Sequence, residues 1–282
     1  MIRNDFVVFI LTHGRPDKVF TYKALKRGRY TGPIYIVCDN EDKKLAEYQA
    51  KFENVVVFDK KAISLTFDTA DLSQERRTIV YARNACFDIA KKLGYEYFLE
   101  LDDDYTIFEY RKPKEGTLKH IPARQLDLMF NLMVDFLETS KAKTVCIAQG
   151  GDYLGGENST IFKRRVTRKA MNTFFCKTSN RFTFVGRINE DVNTYTSLAR
   201  QGELLLTVGD ANIQQVQTQK NAGGMSDVYI DSGTYLKSFY TVLYCPSAVK
   251  VSNMGEKHKR IHHKVLWEYC APKIISSKYR KE

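Results

Sequence analysis

Three consecutive carboxylates, Asp102, Asp103 and Asp104, end the apolar run Tyr97-Phe98-Leu99-Glu100-Leu101. Like charges repel, so three in a row beyond a buried strand call for a counter-charge. Oxygen donors of this type suit a hard divalent cation, Mg²⁺ or Mn²⁺, bridging a diphosphate. A solvated acidic turn is the plain alternative. Two more polar sets follow apolar runs: Thr12, His13 and Arg15 after Phe6–Leu11, and Asp39 after Ile34–Cys38. Further on, Glu190 and Asp191 open an expected helix behind Asn189. There they complement the helix dipole or supply a general base. The stretch Gly255–Lys264 carries His258, His262 and His263 among four Lys and Arg residues. These are candidate cation ligands or a solvated tail.

These groups need elements that bring them together. Phe6–Leu11 reads as a strand buried on both faces, followed by a turn at Thr12–Pro16 and a helix capped by Asp17 and ended by Gly28. Ile34–Cys38 is a second strand, Asn40 caps a helix over Glu41–Lys51, and Val55–Phe58 is a third strand. Alternation of strands and helices predicts right-handed crossovers and a parallel sheet. In such sheets ligands bind at the carboxyl ends of the strands, where all three polar sets would meet. Glu75–Leu93 is helical by the stripe Ile79, Ala82, Cys86, Ala90 and Leu93, with Gly94 at its end and Arg83 and Asn84 off the stripe. Pro122–Glu138 is a second amphipathic helix, and Thr144–Ala148 a strand. Gln149–Thr160 is a Gly-rich loop. Glu203–Val208, Phe239–Tyr244 and Val249–Ser252 read as strands, and Asn221–Met225 as a loop able to close over a ligand. Strand alternation turns the Asp103 side chain to the face opposite those of Asp102 and Asp104. Asp103→Asn is therefore expected to be the mildest of the three substitutions.

The formal net charge of +11 favours a polyanionic partner, nucleic acid first, over a merely soluble basic enzyme. Lys163, Arg164, Arg165, Arg168 and Lys169 precede Phe174, Phe175, Phe182 and Phe184. That mixture suits phosphate contacts with base stacking, or a solvated basic edge over core aromatics. The six cysteines are far apart and mostly within apolar runs, so reduced thiols are expected, without disulfides or a zinc site. There is no GxGxxG after the first strand and no Walker sequence, which argues against a dinucleotide dehydrogenase and a P-loop ATPase. No apolar stretch approaches the roughly 18 residues of a membrane span, and the N-terminus lacks a secretory layout. A cytoplasmic protein with no membrane partner is expected.

In this order the motifs carry a resemblance. Asp102-Asp103-Asp104 resembles the DxD motif of GT-A glycosyltransferases. Phe9–Pro16 resembles their first strand and nucleotide-contacting turn, and Asn189-Glu190-Asp191 their acceptor-side acidic motif. Over about residues 5–265 the chain is similar to the phage glycosyltransferases associated with TET-like dioxygenases, which modify hydroxymethylated cytosine in phage DNA. The resemblance implies an α/β, GT-A-like fold with a Rossmann-type, mostly parallel sheet flanked by helices. It implies one catalytic domain over 1–282, with a nucleotide-sugar half (1–110) and an acceptor half ending in the basic tail (111–282). The donor would be a UDP-sugar, the cofactor Mn²⁺ or Mg²⁺, and the acceptor 5-hydroxymethylcytosine in DNA, inside the host cytoplasm if phage-encoded. Thr12, His13 and Arg15 would contact the nucleotide, Asp39 the uracil or ribose, and Arg83 and Asn84 the nucleotide or diphosphate. Asp102 would bind ribose or metal and Asp104 the metal, with Asp103 between them on the donor side. His258 would complete the metal site, and Asp191 with Glu190 would serve the acceptor. A glycan or protein acceptor, or a nucleic-acid-binding module with an inactive site, are the other readings.

Overall fold

β1 (Phe6–Leu11) is buried end to end, because all six residues are apolar and both of its faces are covered. The computed structural model describes residues 1–70, 76, 78–216, 236–254, 260–271 and 275–280. β1 is joined through a 3₁₀ turn (Pro16–Lys18) and α1 (Phe20–Arg27) to β2 (Ile34–Asp39), then through α2 (Leu45–Lys51) to β3 (Val55–Phe58). After α3 (Lys60–Ser64) and α4 (Val80–Leu93), β4 (Tyr97–Asp102) returns to the other side of β1. A hairpin follows, β5 (Tyr105–Lys114) and β6 (Thr117–Pro122), then α5 (Leu126–Ser140) and β7 (Thr144–Gln149). Next come α6 (Thr160–Arg164), β8 (Val166–Thr167), β9 (Phe174–Lys177), α7 (Glu190–Arg200) and β10 (Leu205–Gln215). Residues 236–244 are helical (α8). β11 (Val249–Met254) and β12 (Arg260–Val265) form a separate antiparallel pair, and α9 (Trp267–Cys270) follows.

The large sheet has the order β3-β2-β1-β4-β9-β7-β10-β5-β6, with β8 beside β10. β3, β2, β1, β4, β7, β10 and β6 run one way; β9, β5 and β8 oppose them. Helices cover both faces, as expected of a mostly parallel α/β sheet. Phe6, Val8 and Ile10 of β1 join Leu99 and Leu101 of β4 under α1 and α5. Val7, Phe9 and Leu11 join Phe98 against α4. Full burial of each such side chain is worth about 1.5–3 kcal/mol, so the two central strands are the rigid part of the molecule. The strand order reverses between β1 and β4, and a reversal of this kind opens a crevice at the strands' carboxyl ends. Thr12 to Arg15 and Asp102 to Asp104 sit there.

Several local expectations change. Pro16 starts a 3₁₀ turn, so Asp17 does not cap α1; it is exposed and pairs with Lys51. Asn40 does not cap α2: its Oδ1 accepts from the Lys60 amide at 3.0 Å. The β5–β6 hairpin replaces the start of the expected Pro122 helix. It turns on Glu115 and Gly116, both at positive φ (51° and 78°), the signature of a tight two-residue turn. The Gly-rich loop contains two 3₁₀ turns and leads into α6. Phe239–Tyr244, expected as a strand, is helical; its inner face buries Ser238, Tyr240 and Thr241 while Phe239 and Leu243, four apart, are exposed. Asn189 precedes α7 in the left-handed region without capping it. The Asn221–Met225 loop and His258 lie outside the described residues. All six cysteines are buried free thiols. Among the described residues no helix is long and apolar enough to cross a membrane.

Candidate active site

The turn after β1 is tied to β4 by a relay of hydroxyls. The Arg15 amide donates to the Tyr48 hydroxyl (2.8 Å), which lies 2.9 Å from Thr12 Oγ1, and Thr12 Oγ1 donates to Asp103 Oδ2 (2.6 Å). Arg15 Nε reaches the same Asp103 oxygen at 2.7 Å. Asp103 is 1% exposed, and burial raises its pKa despite the lowering by Arg15 and Thr12. The Thr12 hydroxyl and the Asp103 carboxylate are thus occupied with each other. What the turn offers a ligand is the partly exposed Arg15 guanidinium.

At the end of β2, Asp39 is buried and accepts from His13 Nδ1 (2.7 Å), Lys60 Nζ (3.1 Å) and the Glu41 amide (3.1 Å). Burial alone would raise its pKa, but the His13 bond and the Lys60 charge outweigh that and hold it below the ordinary carboxylate value. Asp42 Oδ2 receives the Gly14 amide at 2.7 Å. His13 is therefore fixed in orientation yet remains 41% exposed, with its ring edge available at the crevice. Sequence spacing pointed to His13 and Asp39. It missed Lys60, Tyr48 and Asp42, which pack around them; an acid three residues beyond a strand-ending acid was the one visible signal.

Arg83 is the centre of the other half. It is 2% exposed, with Nε 3.1 Å from Glu190 Oε1, Nη2 2.9 Å from Asp102 Oδ1 and Nη1 3.6 Å from Glu100 Oε2. Its guanidinium also lies over Phe174, 4.8 Å from the ring centroid. Arg83 is off the apolar stripe, but the loop before α7 covers that side of α4 and buries it too. Rather than standing open to a diphosphate, it joins the acids of β4 to the first acid of α7. Asn84, beside it, is turned away: Nδ2 donates to the Phe184 carbonyl (2.9 Å) and Oδ1 accepts the Phe184 amide (2.8 Å). Asn193 Nδ2 likewise holds the carbonyls of Val185 and Ile188. Gly186 between them has φ +84°, and a Cβ there would meet Asn193 Nδ2 at 2.2 Å. These clamps set the first turn of α7 against Arg83.

The carboxylates crowd one another. Asp104 is half-buried, and burial, then Asp102 and Asp103, push its pKa up to about 7. Burial, then Glu190 and Asp103 against the pull of Arg83, raise Asp102. Glu100, wholly buried inside β4, is pushed up to about 8 by burial, with Arg83 opposing. Burial and then Glu190 push Asp191 up to about 6; its Oδ1 accepts the Val192 amide at 2.7 Å. Asp104, and the Asp102 oxygen that Arg83 does not hold, are hard oxygen donors that fit a divalent cation. Among the described residues no three His, Cys, Asp or Glu side chains gather as a metal cage. His263 packs beside Asn189 (3.4 Å) at the start of α7.

Acids at the strand ends where the sheet order reverses, opposed by an acid-bearing helix start, make a polar crevice of the kind in which α/β proteins hold charged ligands. The family comparison is more specific: residues 6–224 match the TET-Associated Glycosyltransferase family, and the chain belongs to it. Among solved structures, the chain is similar to a crystal structure of GalNAc-T7 with UDP, GalNAc and Mn²⁺, at 14% identity and a TM-score of 0.44. The match covers 75% of this chain and 44% of that one, so the chain spans less than half the length of that relative. No curated protein matches the chain.

Proposed function

We propose that this glycosyltransferase moves a sugar from a UDP-sugar to the hydroxymethyl group of 5-hydroxymethylcytosine in DNA, with Mn²⁺ or Mg²⁺ as cofactor. One observation carries the reading: Arg83 bonds both Asp102 on the donor side and Glu190 on the acceptor side. A single buried cation thereby fixes the two halves of a transfer site against each other. The family match and the +11 charge support the DNA acceptor.

His13, held by Asp39, faces the nucleoside, and Arg15, held by Asp103, offers its outer N–H groups to the diphosphate. Asp102 and Asp104 would hold the divalent cation, which would supply positive charge against that building on the leaving diphosphate. Asp191 acts as general base. It takes the proton of the hydroxymethyl O–H as that oxygen bonds to the sugar's anomeric carbon and the bond to the diphosphate breaks, with inversion. A positioned base of this kind contributes roughly 10²–10⁴-fold. Glu190, fixed by Arg83, orients the turn that carries Asp191.

Incubation with hydroxymethylated DNA, Mn²⁺ and a panel of UDP-sugars, followed by mass analysis of the released nucleosides, tests the reading. A hexose-sized gain is expected with at least one donor. No gain with any donor, or turnover on free sugars alone, sinks the DNA acceptor.

A further inference from the structure

A groove of about 550 Å³ lies between the α6–β8 segment and α9, lined by Arg164, Arg168, Lys169 and Trp267 with Asp152 and Glu268. Trp267 is the chain's single tryptophan. Its ring stacks on Tyr195 of α7 (centroids 5.5 Å apart, planes at 13°) and it stays 39% exposed. Tyr195 thus holds the indole as a fixed plate, with apolar surface left open to the groove. Lys169 Nζ neutralises Asp152 at 2.6 Å, and Arg168 reaches the Glu203 carbonyl at 3.4 Å. Arg164 is exposed, and among the described residues no acid pairs with it. Glu268 repels phosphate from the α9 side and leaves the α6 side as the favourable one.

The groove meets α7 at Tyr195, the residue on which Trp267 stacks. His263, which contacts Asn189, is buried close enough to Lys169 for that charge to act on it: burial, then His262, Lys237 and Lys169, pull its pKa down to about 3. Tyr195 stands four residues beyond Asp191 on α7, on the same helix face about one turn away, so the groove lies one turn from the proposed acceptor acids. A basic groove with a rigid aromatic plate is the chemistry that holds an unpaired strand, phosphates on the cations and a base on the ring.

We propose that this groove holds a single nucleic-acid strand leading to the acceptor, with one base stacked on Trp267 and the adjoining phosphate on Arg164. The inference rests on the DNA acceptor reading but uses a separate probe. Because Trp267 is the sole tryptophan, an unmodified single-stranded oligodeoxynucleotide should quench the protein's tryptophan emission, and the quenching should fade as salt rises. Arg164→Glu, at an exposed position, should weaken oligonucleotide binding about tenfold or more and flatten the salt dependence by about one phosphate contact. Trp267→Leu, followed by anisotropy of a labelled oligonucleotide, should lose on the order of tenfold. The thermal shift produced by UDP should be unchanged in both variants, which reports an intact donor half. Unaltered emission on oligonucleotide binding, full affinity in Arg164→Glu, or quenching by duplex alone overturns the groove while leaving the proposed reaction standing. Quenching with no sugar transfer supports the groove and sinks the reaction.

Discussion

Arg15 Nε lies 2.7 Å from Asp103 Oδ2, and this bond makes the middle aspartate the anchor of the turn after β1. Alternation along β4 does send Asp103 to the face opposite Asp102. That face is not empty: Thr12 and Arg15 meet there on a carboxylate that is 1% exposed. The expectation of a mild Asp103→Asn therefore reverses. An amide in this place puts N–H against N–H or O–H and discards a charge-assisted bond, at about 1.5–3 kcal/mol. Asp103→Asn is expected to lower the urea midpoint and to lose as much transfer activity as Asp104→Asn. Wild-type stability and activity in this variant would show that the relay is idle.

Asn84 supports a prediction of the opposite kind. Its amide spans 100 residues to clasp both main-chain groups of Phe184. Asn84→Ala leaves those groups buried and unbonded, at about 1–3 kcal/mol each. The loop that presents α7 should loosen. Stability and acceptor turnover are expected to fall while UDP affinity, read by calorimetry, stays as in the wild type. A loss of UDP binding with unchanged stability would return Asn84 to the nucleotide.

The parts of this site that could be read from the sequence are those set by local pattern. β1 and β4 are continuous apolar runs that stop at polar residues, so both the strands and the crevice at their ends follow from composition. What could not be read depends on partners far along the chain. Lys60 meets Asp39 across 21 residues and Arg83 meets Glu190 across 107. No spacing rule encodes either contact. The β5 strand was hidden because its second half, Tyr110 to Lys114, carries three basic residues and Pro113, although the Glu115-Gly116 turn was there to find. Phe239–Tyr244 is aromatic and β-branched enough to suit a strand, but packing decided for a helix. Asn189 has the right side chain for a cap, yet its amide is drawn instead to the Lys237 carbonyl and Thr241 Oγ1.

With Asp191 as the proposed general base, its carboxyl, held up to about 6, predicts a pH dependence for the reaction. A general base must be ionised, so kcat/KM is expected to fall below pH 6 and to level off above about pH 7. Asp191→Asn should remove that acid limb together with most of the activity, by roughly 10²–10⁴-fold. Stability moves the other way. The native pKa is raised above the ordinary carboxylate value, so the folded state gains from the proton at low pH and loses that gain as pH rises through about 6. The asparagine variant, which carries no charge to bury, should therefore be relatively more stable than the wild type above pH 6. A pH–rate profile and unfolding curves at pH 5 and pH 8 check both limbs, and an acid limb unchanged in Asp191→Asn would assign the base elsewhere.

Asp104 gives the direct test of the cation. Its pKa is pushed up to about 7 by burial and by Asp102 and Asp103, with Arg15 opposing, so its protonated form persists toward neutral pH. A divalent ion favours the ionised form and should bind more tightly as pH rises from 6 to 8, releasing protons as it does. Binding to the folded state alone stabilises by about 2.7 kcal/mol at a hundredfold excess over Kd. Mn²⁺ is therefore expected to raise the melting temperature of the wild type, more at pH 8 than at pH 6. Asp104→Asn should abolish that rise, and EDTA should abolish sugar transfer by the wild type. If Asp104→Asn melts with the wild-type Mn²⁺ shift, the carboxylate is not a metal ligand, and the crowding of the three aspartates must be relieved by the substrate alone.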